Sequence, residues 1–165
     1  MKQYLDELEK YINDEIVLYR DLEALYKEKE EILVNRKVDE LFVIDSKIVN
    51  KGKSLAPIVN KRKQVFDMAF GGETSMSRLI SECEKEDSAQ AKRFSEMKKE
   101  VNTLVESLKQ LEYVNNELTK FGIKITNKTM QIILNNINIP TNDYNNQGKL
   151  SNQEIQNLSS ISEEV

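Results

Sequence analysis

Apolar residues recur at alternating steps of three and four positions along most of the chain, which is the spacing of one side of an α-helix. The first run predicts a helix from about Lys2 to Val34 with the narrow apolar stripe of a coiled coil. Its stripe consists of Leu5, Leu8, Ile12, Tyr19, Leu22, Tyr26 and Leu33. Glu15 and Lys29 place charge at two positions of the same stripe, which is therefore interrupted.

A second helix is predicted from about Glu40 to Phe70, after a polar link in which Asp39 is placed to cap it. Its stripe consists of Leu41, Ile44, Ile48, Leu55, Ile58, Val65 and Ala69, with interruptions at Lys51 and Arg62. Gly52 and Pro57 lie inside this helix and should bend or weaken it.

Charge differs sharply between these two helices. Residues 1–34 hold ten acidic and five basic side chains, whereas six basic and no acidic side chains lie between Ser46 and Gln64. Two helices of opposite charge joined by a short link are expected to pair as an antiparallel hairpin. Because the acidic helix already offers the basic run a partner and no aromatic residues are interleaved with it, a nucleic-acid surface is disfavoured.

Gly71-Gly72 is expected to end the second helix. A short helix through about Glu84 follows, and Asp87 with Gln90 resembles the capping box of a last helix, from about Ser88 to Ile137. The stripe of that helix consists of Phe94, Met97, Val101, Leu104, Leu108, Leu111, Leu118 and Ile125. The prediction is thus an all-α, antiparallel, coiled-coil-like bundle of two N-terminal helices, one short helix and one long C-terminal helix.

The last helix would span about 75 Å against about 50 Å for the first, so its end should extend past its partners unless it breaks at Gly122. That end is apolar on several faces rather than along one stripe. Its apolar residues are Phe121, Ile123, Ile125, Met130, Ile132, Ile133, Leu134, Ile137 and Ile139. Such a surface predicts a binding site for a partner helix, with burial in the chain's own bundle or in a homodimer as the alternatives.

Pro140 should stop the last helix, so we divide the chain into a helical domain, residues 1–139, and a flexible acidic tail, residues 140–165. The tail has one Lys and four acidic residues with many Asn and Ser, a composition typical of disorder. Leu150, Ile155, Leu158 and Ile161 give it only a weak helical pattern.

The residues that carry enzyme chemistry are scarce. The chain has no His and one cysteine, Cys83, so the usual general base is absent and no intrachain disulfide can form. No carboxylate spacing isolates a metal set, and we expect no enzyme activity and no cofactor. The N-terminus lacks the apolar run of a signal peptide, and no segment approaches a membrane span. These features favour a protein that remains in the cytoplasm.

The order of elements resembles the FlgN family of flagellar export chaperones. The matching segments are the link at 37–41, the basic pair Lys61-Arg62, the short helix at 75–80, the Asn-containing stretch at 111–118, and Asp143-Tyr144 followed by Gly148. The likeness covers about residues 1–150.

The resemblance implies a function without chemistry. Family members bind the C-terminal helices of the hook–filament junction proteins FlgK and FlgL, keep them unassembled, and deliver them to the export gate protein FlhA. It also implies that Tyr144 docks to the gate, whereas the apolar excess at the end of the last helix predicts that cargo binds there. The cargo-binding residues expected there are Phe121, Ile125, Met130, Ile132, Ile133 and Ile137.

Two other functions fit the same pattern. A structural coiled-coil subunit or adaptor would self-associate through the C-terminal helix, and a nucleic-acid accessory protein would use the basic face of the second helix. The first would bind itself and the second would bind DNA in a salt-dependent way, whereas a chaperone should bind a heterologous helix.

Overall fold

The computed structural model describes residues 2–72 and 75–136, and these form four helices without a strand. The helices are α1 (Lys2–Val34), α2 (Val38–Phe70), α3 (Met76–Glu86) and α4 (Ser88–Asn136). The all-α prediction is therefore confirmed. The chain divides into two compact units, Met1–Ile123 and Lys124–Val165. The predicted boundary between helical domain and tail, at 139–140, lies outside the described residues.

Helices α1 and α2 pair as the antiparallel hairpin that their charges predict. Lys51 Nζ lies 2.6 Å from an oxygen of Asp21, and Lys47 Nζ lies 3.4 Å from an oxygen of Glu28. Residue numbers rise along α1 as they fall along α2, so the two helices run in opposite directions. These pairs are exposed, and each contributes at most about 1 kcal/mol. These ion pairs therefore favour this alignment of α1 with α2 but add little to the stability of the fold.

The link between α1 and α2 is shorter than expected, and the prediction that Asp39 caps α2 was wrong. Helix α2 begins at Val38, its N-cap is Lys37, and no side chain caps it. Asp39 therefore lies in the first turn rather than at the cap. There its carboxylate still interacts favourably with the positive end of the helix dipole. Arg36 makes the reversal with a left-handed backbone, φ 57°.

Helix α2 is continuous from Val38 through both Gly52 and Pro57. It ends as predicted at Gly71, which adopts a left-handed conformation of φ 69° and ψ 45°. The Gly71 N–H donates a hydrogen bond to the carbonyl oxygen of Asp67 at 2.9 Å. A residue with a Cβ atom adopts this backbone only with strain, which explains why glycine stands at this position.

The core lies where α1, α2, α3 and the first half of α4 meet. Leu8, Ile12, Phe66, Leu79 and Phe94 are buried there, with Cys83 and Ala91 beside them. Five buried apolar positions were missed by the predicted stripes: Ile16, Ile32, Phe66, Cys83 and Ala91. A two-helix seam has two core positions per heptad, but a helix with several neighbours needs a wider apolar face. The predicted stripes were too narrow for this reason.

Helix α4 runs in the same direction as α1. Asn115 Nδ2 donates to the Tyr26 carbonyl at 2.9 Å, and Arg93 lies 3.3 Å from Glu9, so residue numbers rise together along the two helices. Asp87 caps α4 as predicted, because its Oδ1 accepts hydrogen bonds from the N–H groups of Ala89 and Gln90, at 2.9 and 3.1 Å.

Two boundaries near the end of the fold differ from expectation. Helix α3 extends to Glu86, two residues beyond the predicted end. Helix α4 passes Gly122 without a break. A single glycine inside a helix costs only about 1 kcal/mol relative to Ala, so the surrounding helical sequence prevails there.

Candidate functional site

The end of α4 exposes a set of large apolar side chains. Every side chain described from residue 121 to residue 135 is exposed. In the first half of the same helix, by contrast, Phe94 is fully buried and Leu104 is 8% exposed. The exposed fractions are 61% for Phe121, 38% for Ile125, 54% for Met130, 61% for Ile132 and 48% for Ile133. Ile125 was also placed in the predicted core stripe, and in that respect the stripe was wrong.

Within the unit that begins at Lys124, these side chains lie on more than one face of the helix. Ile125 and Ile132 are seven residues apart, so they share a face at about 100° per residue. Met130 and Leu134 are four residues apart and share a second face, with Ile133 between the two. Lys124 and Lys128 are the only charged residues among those described in this unit. The segment therefore offers apolar surface with slight positive charge and no acidic group.

The remaining residues of the predicted site separate into two groups. Phe121 belongs to the unit Met1–Ile123 and is exposed. Ile137 and Tyr144 lie outside the described residues.

A buried amide links α4 to α1 a short distance before this segment. Asn115 is 1% exposed, and its Nδ2 donates to the backbone carbonyl of Tyr26 at 2.9 Å. The Asn115 Oδ1 is buried without a hydrogen-bond partner among the described residues. Asn115 lies four residues after Leu111 and three before Leu118, so it continues the spacing of the predicted apolar stripe of this helix. A polar residue at such a position was the sequence signal that could have identified this contact. Such a group fixes the axial register of two helices.

A buried ion pair joins α1 to α2 at positions where both stripes are interrupted. Glu15 is 1% exposed, and Arg62 Nε lies 2.7 Å from its Oε1. The angle between these groups is poor for a hydrogen bond, and both Glu15 oxygens lack one. Burial raises the pKa of Glu15, against the opposing attraction of Arg62. Burial also raises the pKa of Tyr19, with the Glu15 charge adding to the effect.

The single cysteine is not a candidate nucleophile. Cys83 is 4% exposed, and its pKa is raised, first by burial and then by the charges of Asp87, Glu86 and Glu82. A thiol held protonated in this way is a poor nucleophile at neutral pH. Among residues 2–72 and 75–136, no cluster of His, Cys, Asp or Glu could hold a metal ion.

None of the helices described is both long and apolar enough to cross a membrane. The part of the chain that the structure covers thus offers one extended apolar surface at the end of α4 and two buried polar contacts that hold α1 against its neighbours. This arrangement suits the binding of another protein.

Comparison with known proteins supports the same conclusion. A search of curated proteins and a search of solved structures gave no significant match. The family model described as FlgN protein matches residues 1–152, most of the chain. The resemblance seen in the order of the helices is thereby confirmed, and the chain belongs to the FlgN family of flagellar export chaperones.

Proposed function

We propose that this protein is a cytoplasmic chaperone for the hook–filament junction proteins FlgK and FlgL, whose C-terminal helices bind at the end of α4. Binding there keeps these proteins unassembled until they reach the export gate. The exposure of Ile125, Met130, Ile132 and Ile133 carries this proposal. The FlgN family is non-enzymatic, and the site requires neither a cofactor nor a reaction.

The apolar side chains at this surface supply a substantial part of the free energy that cargo binding requires. Burial of a large apolar side chain contributes about 1.5–3 kcal/mol when it is complete. Four such residues, half exposed, contribute together on the order of several kcal/mol, and the cargo helix contributes an equal surface. Micromolar binding requires about 8 kcal/mol after the cost of association. Because association itself costs at least about 4 kcal/mol, the apolar side chains supply part of the free energy of binding, and further contacts of the cargo helix supply the rest.

Two pairs of substitutions test which face binds cargo. Ile125→Asp with Ile132→Asp changes one face, and Met130→Asp with Leu134→Asp changes the other. We expect at least one pair to weaken binding to a FlgK or FlgL C-terminal helix by about 100-fold or more, measured by calorimetry. Val17→Asp is a matched control, because Val17 is 54% exposed on α1. Parent-like affinity in both pairs, with helicity intact by circular dichroism, would place the cargo site elsewhere.

Docking to the export gate is proposed for Tyr144, on family resemblance. In this proposal residues 140–165 form a separate tail on the domain of residues 1–139, so the gate and the cargo bind different parts of the chain. An aromatic ring supplies a large contact area at low entropic cost, which makes Tyr a common anchor. Tyr144→Ala should weaken binding to the cytosolic part of FlhA and leave cargo affinity nearly unchanged. Equal loss of both affinities, or loss of neither, would contradict a separate docking role.

A second candidate function uses the same surface differently. An exposed apolar segment also suits a structural subunit or adaptor that forms a homodimer through α4. Sedimentation equilibrium distinguishes the two: a homodimer dissociated by Ile125→Asp with Ile132→Asp, without any binding of junction-protein helices, would favour the adaptor.

A further inference from the structure

An open pocket of about 240 Å³ lies where α3 meets the start of α1, the end of α2 and the start of α4. Pockets for whole small molecules enclose about 300–1,000 Å³, so this one suits a single long side chain rather than a larger ligand. All of its described walls belong to the unit Met1–Ile123. The residues that form them are Leu5, Phe70, Glu82, Cys83, Glu86, Asp87 and Gln90.

One part of the pocket wall is apolar and another part is acidic. Leu5 and Cys83 are buried, and Phe70 is half-buried and packs against the same core. Glu86 and Asp87 are exposed, and neither forms an ion pair with a residue that the structure describes. The open side of the pocket therefore carries two unpaired negative charges beside an apolar surface.

The third carboxylate of the pocket is already paired. Lys85 Nζ lies 2.7 Å from Glu82 Oε1, and the pKa of Glu82 is lowered, first by this hydrogen bond and also by the charge of Arg78. The Arg78 guanidinium lies over the Phe70 ring, 5.8 Å from its centroid. Neither cation is part of the pocket wall. With three carboxylates in the wall and two cations beside it, the pocket keeps a net negative charge.

The three carboxylates surround the same small volume. The pKa of the buried Cys83 thiol is raised, first by burial and then by the charges of Asp87, Glu86 and Glu82. Three groups that act on one thiol in the pocket wall are close enough to act on one ligand. They are not arranged for a metal ion, because no cluster that could hold one occurs among the residues that the structure describes. The charge of this pocket therefore favours an organic cation.

A buried amide in the pocket wall lacks a partner. Gln90 is 9% exposed, and its side chain forms no hydrogen bond with any residue that the structure describes. Its backbone N–H, by contrast, donates to Asp87 Oδ1 at 3.1 Å. Buried polar side chains are normally hydrogen-bonded, so the free amide indicates that the pocket receives a hydrogen-bonding group.

We propose that this pocket binds a lysine side chain of a partner protein. The ammonium group of lysine has three donors and no acceptor, which suits the acceptor oxygens that Glu86, Asp87 and Gln90 place in the wall. The four-carbon stem of lysine packs against the apolar part of the wall, as the stems of long cationic side chains commonly do. The pocket does not include the exposed apolar segment at the end of α4, so it adds a second contact and does not depend on the proposed cargo site.

The test uses the full chain labelled with ¹⁵N and two probes, Nα-acetyl-lysinamide and Nα-acetyl-norleucinamide. The two probes share a four-carbon stem and differ in the ammonium group. At about 0.05 M salt, where charges are weakly screened, we expect the lysine probe to shift the backbone amide resonances of residues 82–90 with a Kd below about 10 mM. The lysine probe should bind at least about fivefold more tightly than the norleucine probe, because only its ammonium meets the carboxylates.

Two double variants locate the charge that binds the probe. Glu86→Gln with Asp87→Asn removes both unpaired charges at nearly constant shape, and Asn retains the ability to cap α4. This variant should bind the lysine probe about fivefold more weakly and lose its preference over the norleucine probe. The matched control is Glu84→Gln with Glu96→Gln, which removes two exposed carboxylates of α3 and α4 that are not part of the pocket wall. It should change the affinity by less than about twofold.

A single variant tests the amide. Gln90→Leu keeps a side chain of similar size and removes the acceptor oxygen, so it should weaken the lysine probe about threefold and leave the norleucine probe unchanged. Equal effects on both probes would show that Gln90 only shapes the pocket and does not bind the ammonium group.

Three results would overturn the inference. The first is equal binding of the two probes, which would show that the pocket does not select a cation. The second is the absence of saturable shifts at residues 82–90 up to about 50 mM of the lysine probe, which would show that the pocket is a packing gap without a ligand. The third is equal weakening by the double variant and its matched control, which would show that only the overall charge of the chain attracts the probe.

Discussion

Removal of Arg62 from its buried pair with Glu15 should destabilise the fold more than removal of Glu15. The Glu15 carboxylate is 1% exposed, whereas the Arg62 side chain is 21% exposed and lies 2.7 Å away. In Arg62→Leu the carboxylate remains buried with no counter-charge. In Glu15→Leu the Arg62 side chain, which is 21% exposed although its Nε is buried, can turn its guanidinium toward water.

The magnitudes follow from these exposures. Breaking a buried ion pair by removing one partner costs about 3–5 kcal/mol. We expect about 3 kcal/mol for Arg62→Leu, because protonation of Glu15 limits the loss, and about 1–2 kcal/mol for Glu15→Leu. The double variant Glu15→Leu/Arg62→Leu replaces both charges by apolar groups. It should be at least as stable as the better single variant and close to the parent.

Urea unfolding followed by circular dichroism measures all four proteins. With an m-value of about 2 kcal/mol/M, a loss of about 3 kcal/mol lowers the midpoint by about 1.5 M. A midpoint shift below about 0.5 M for Arg62→Leu, or a double variant as unstable as the sum of the single changes, would refute the reasoning. The first result would mean that Glu15 is solvated, and the second that its packing rather than its charge matters.

The pH dependence of this pair has a definite sign. Burial raises the pKa of Glu15 in the folded state above its ordinary value of 4.5, so the folded chain binds the proton more tightly than the unfolded chain. The contribution of Glu15 to stability is therefore fully present below pH 4.5 and is lost as the pH rises through the raised pKa. Glu15→Gln should lack this dependence, and the stability difference between parent and variant should change in that window alone.

Two further predictions concern the backbone and α4. Asn115→Ala should lower the free energy of unfolding, measured in urea, by about 1–3 kcal/mol, because the Tyr26 carbonyl loses a buried hydrogen-bond donor. The control is Asn116→Ala at an exposed position, which should cost less than about 0.5 kcal/mol. Equal effects of the two substitutions would contradict a role for Asn115 in setting the register of α4 against α1. Gly71→Ala should destabilise the fold by about 1 kcal/mol, because the backbone at Gly71 has a left-handed φ of 69°. Gly52→Ala lies inside α2 with open space around it and should stabilise the fold by up to about 1 kcal/mol. Thermal midpoints of the two variants that move in the same direction would refute this contrast.

The sequence predicted the helices well because their boundaries depend on local chemistry. Apolar spacing gave α1 its full length, glycine ended α2, and Asp87 capped α4. The antiparallel pairing of α1 with α2 also followed from their opposite charges and the short link between them. The start of α2 was misjudged because a short, sharp reversal at Arg36 removed the need for the Asp39 cap.

Burial was harder to predict, because it depends on how many neighbours a helix has. Ile16 of α1 and Phe66 of α2 lie outside a two-helix stripe, and they become core residues because α3 and the first half of α4 join the same core. Ile125 shows the opposite error. It lies in register with the buried residues of α4 yet is 38% exposed, because a periodic pattern continues along a helix whether or not a neighbour accompanies it.

The polar residues in apolar registers illustrate why pattern and packing must be combined. Glu15, Arg62 and Asn115 all weaken a stripe when the sequence is considered one helix at a time. In the folded chain, Glu15 of α1 forms an ion pair with Arg62 of α2, and Asn115 of α4 donates a hydrogen bond to a backbone carbonyl of α1. Each contact opposes the sliding of one helix along another, since a shift by one turn would leave a buried charge or amide without its partner. An exposed apolar surface such as the end of α4 cannot supply that constraint, because apolar contacts are non-directional. The buried polar contacts therefore set the alignment of α1 with its neighbours, and the exposed apolar residues remain available for partners.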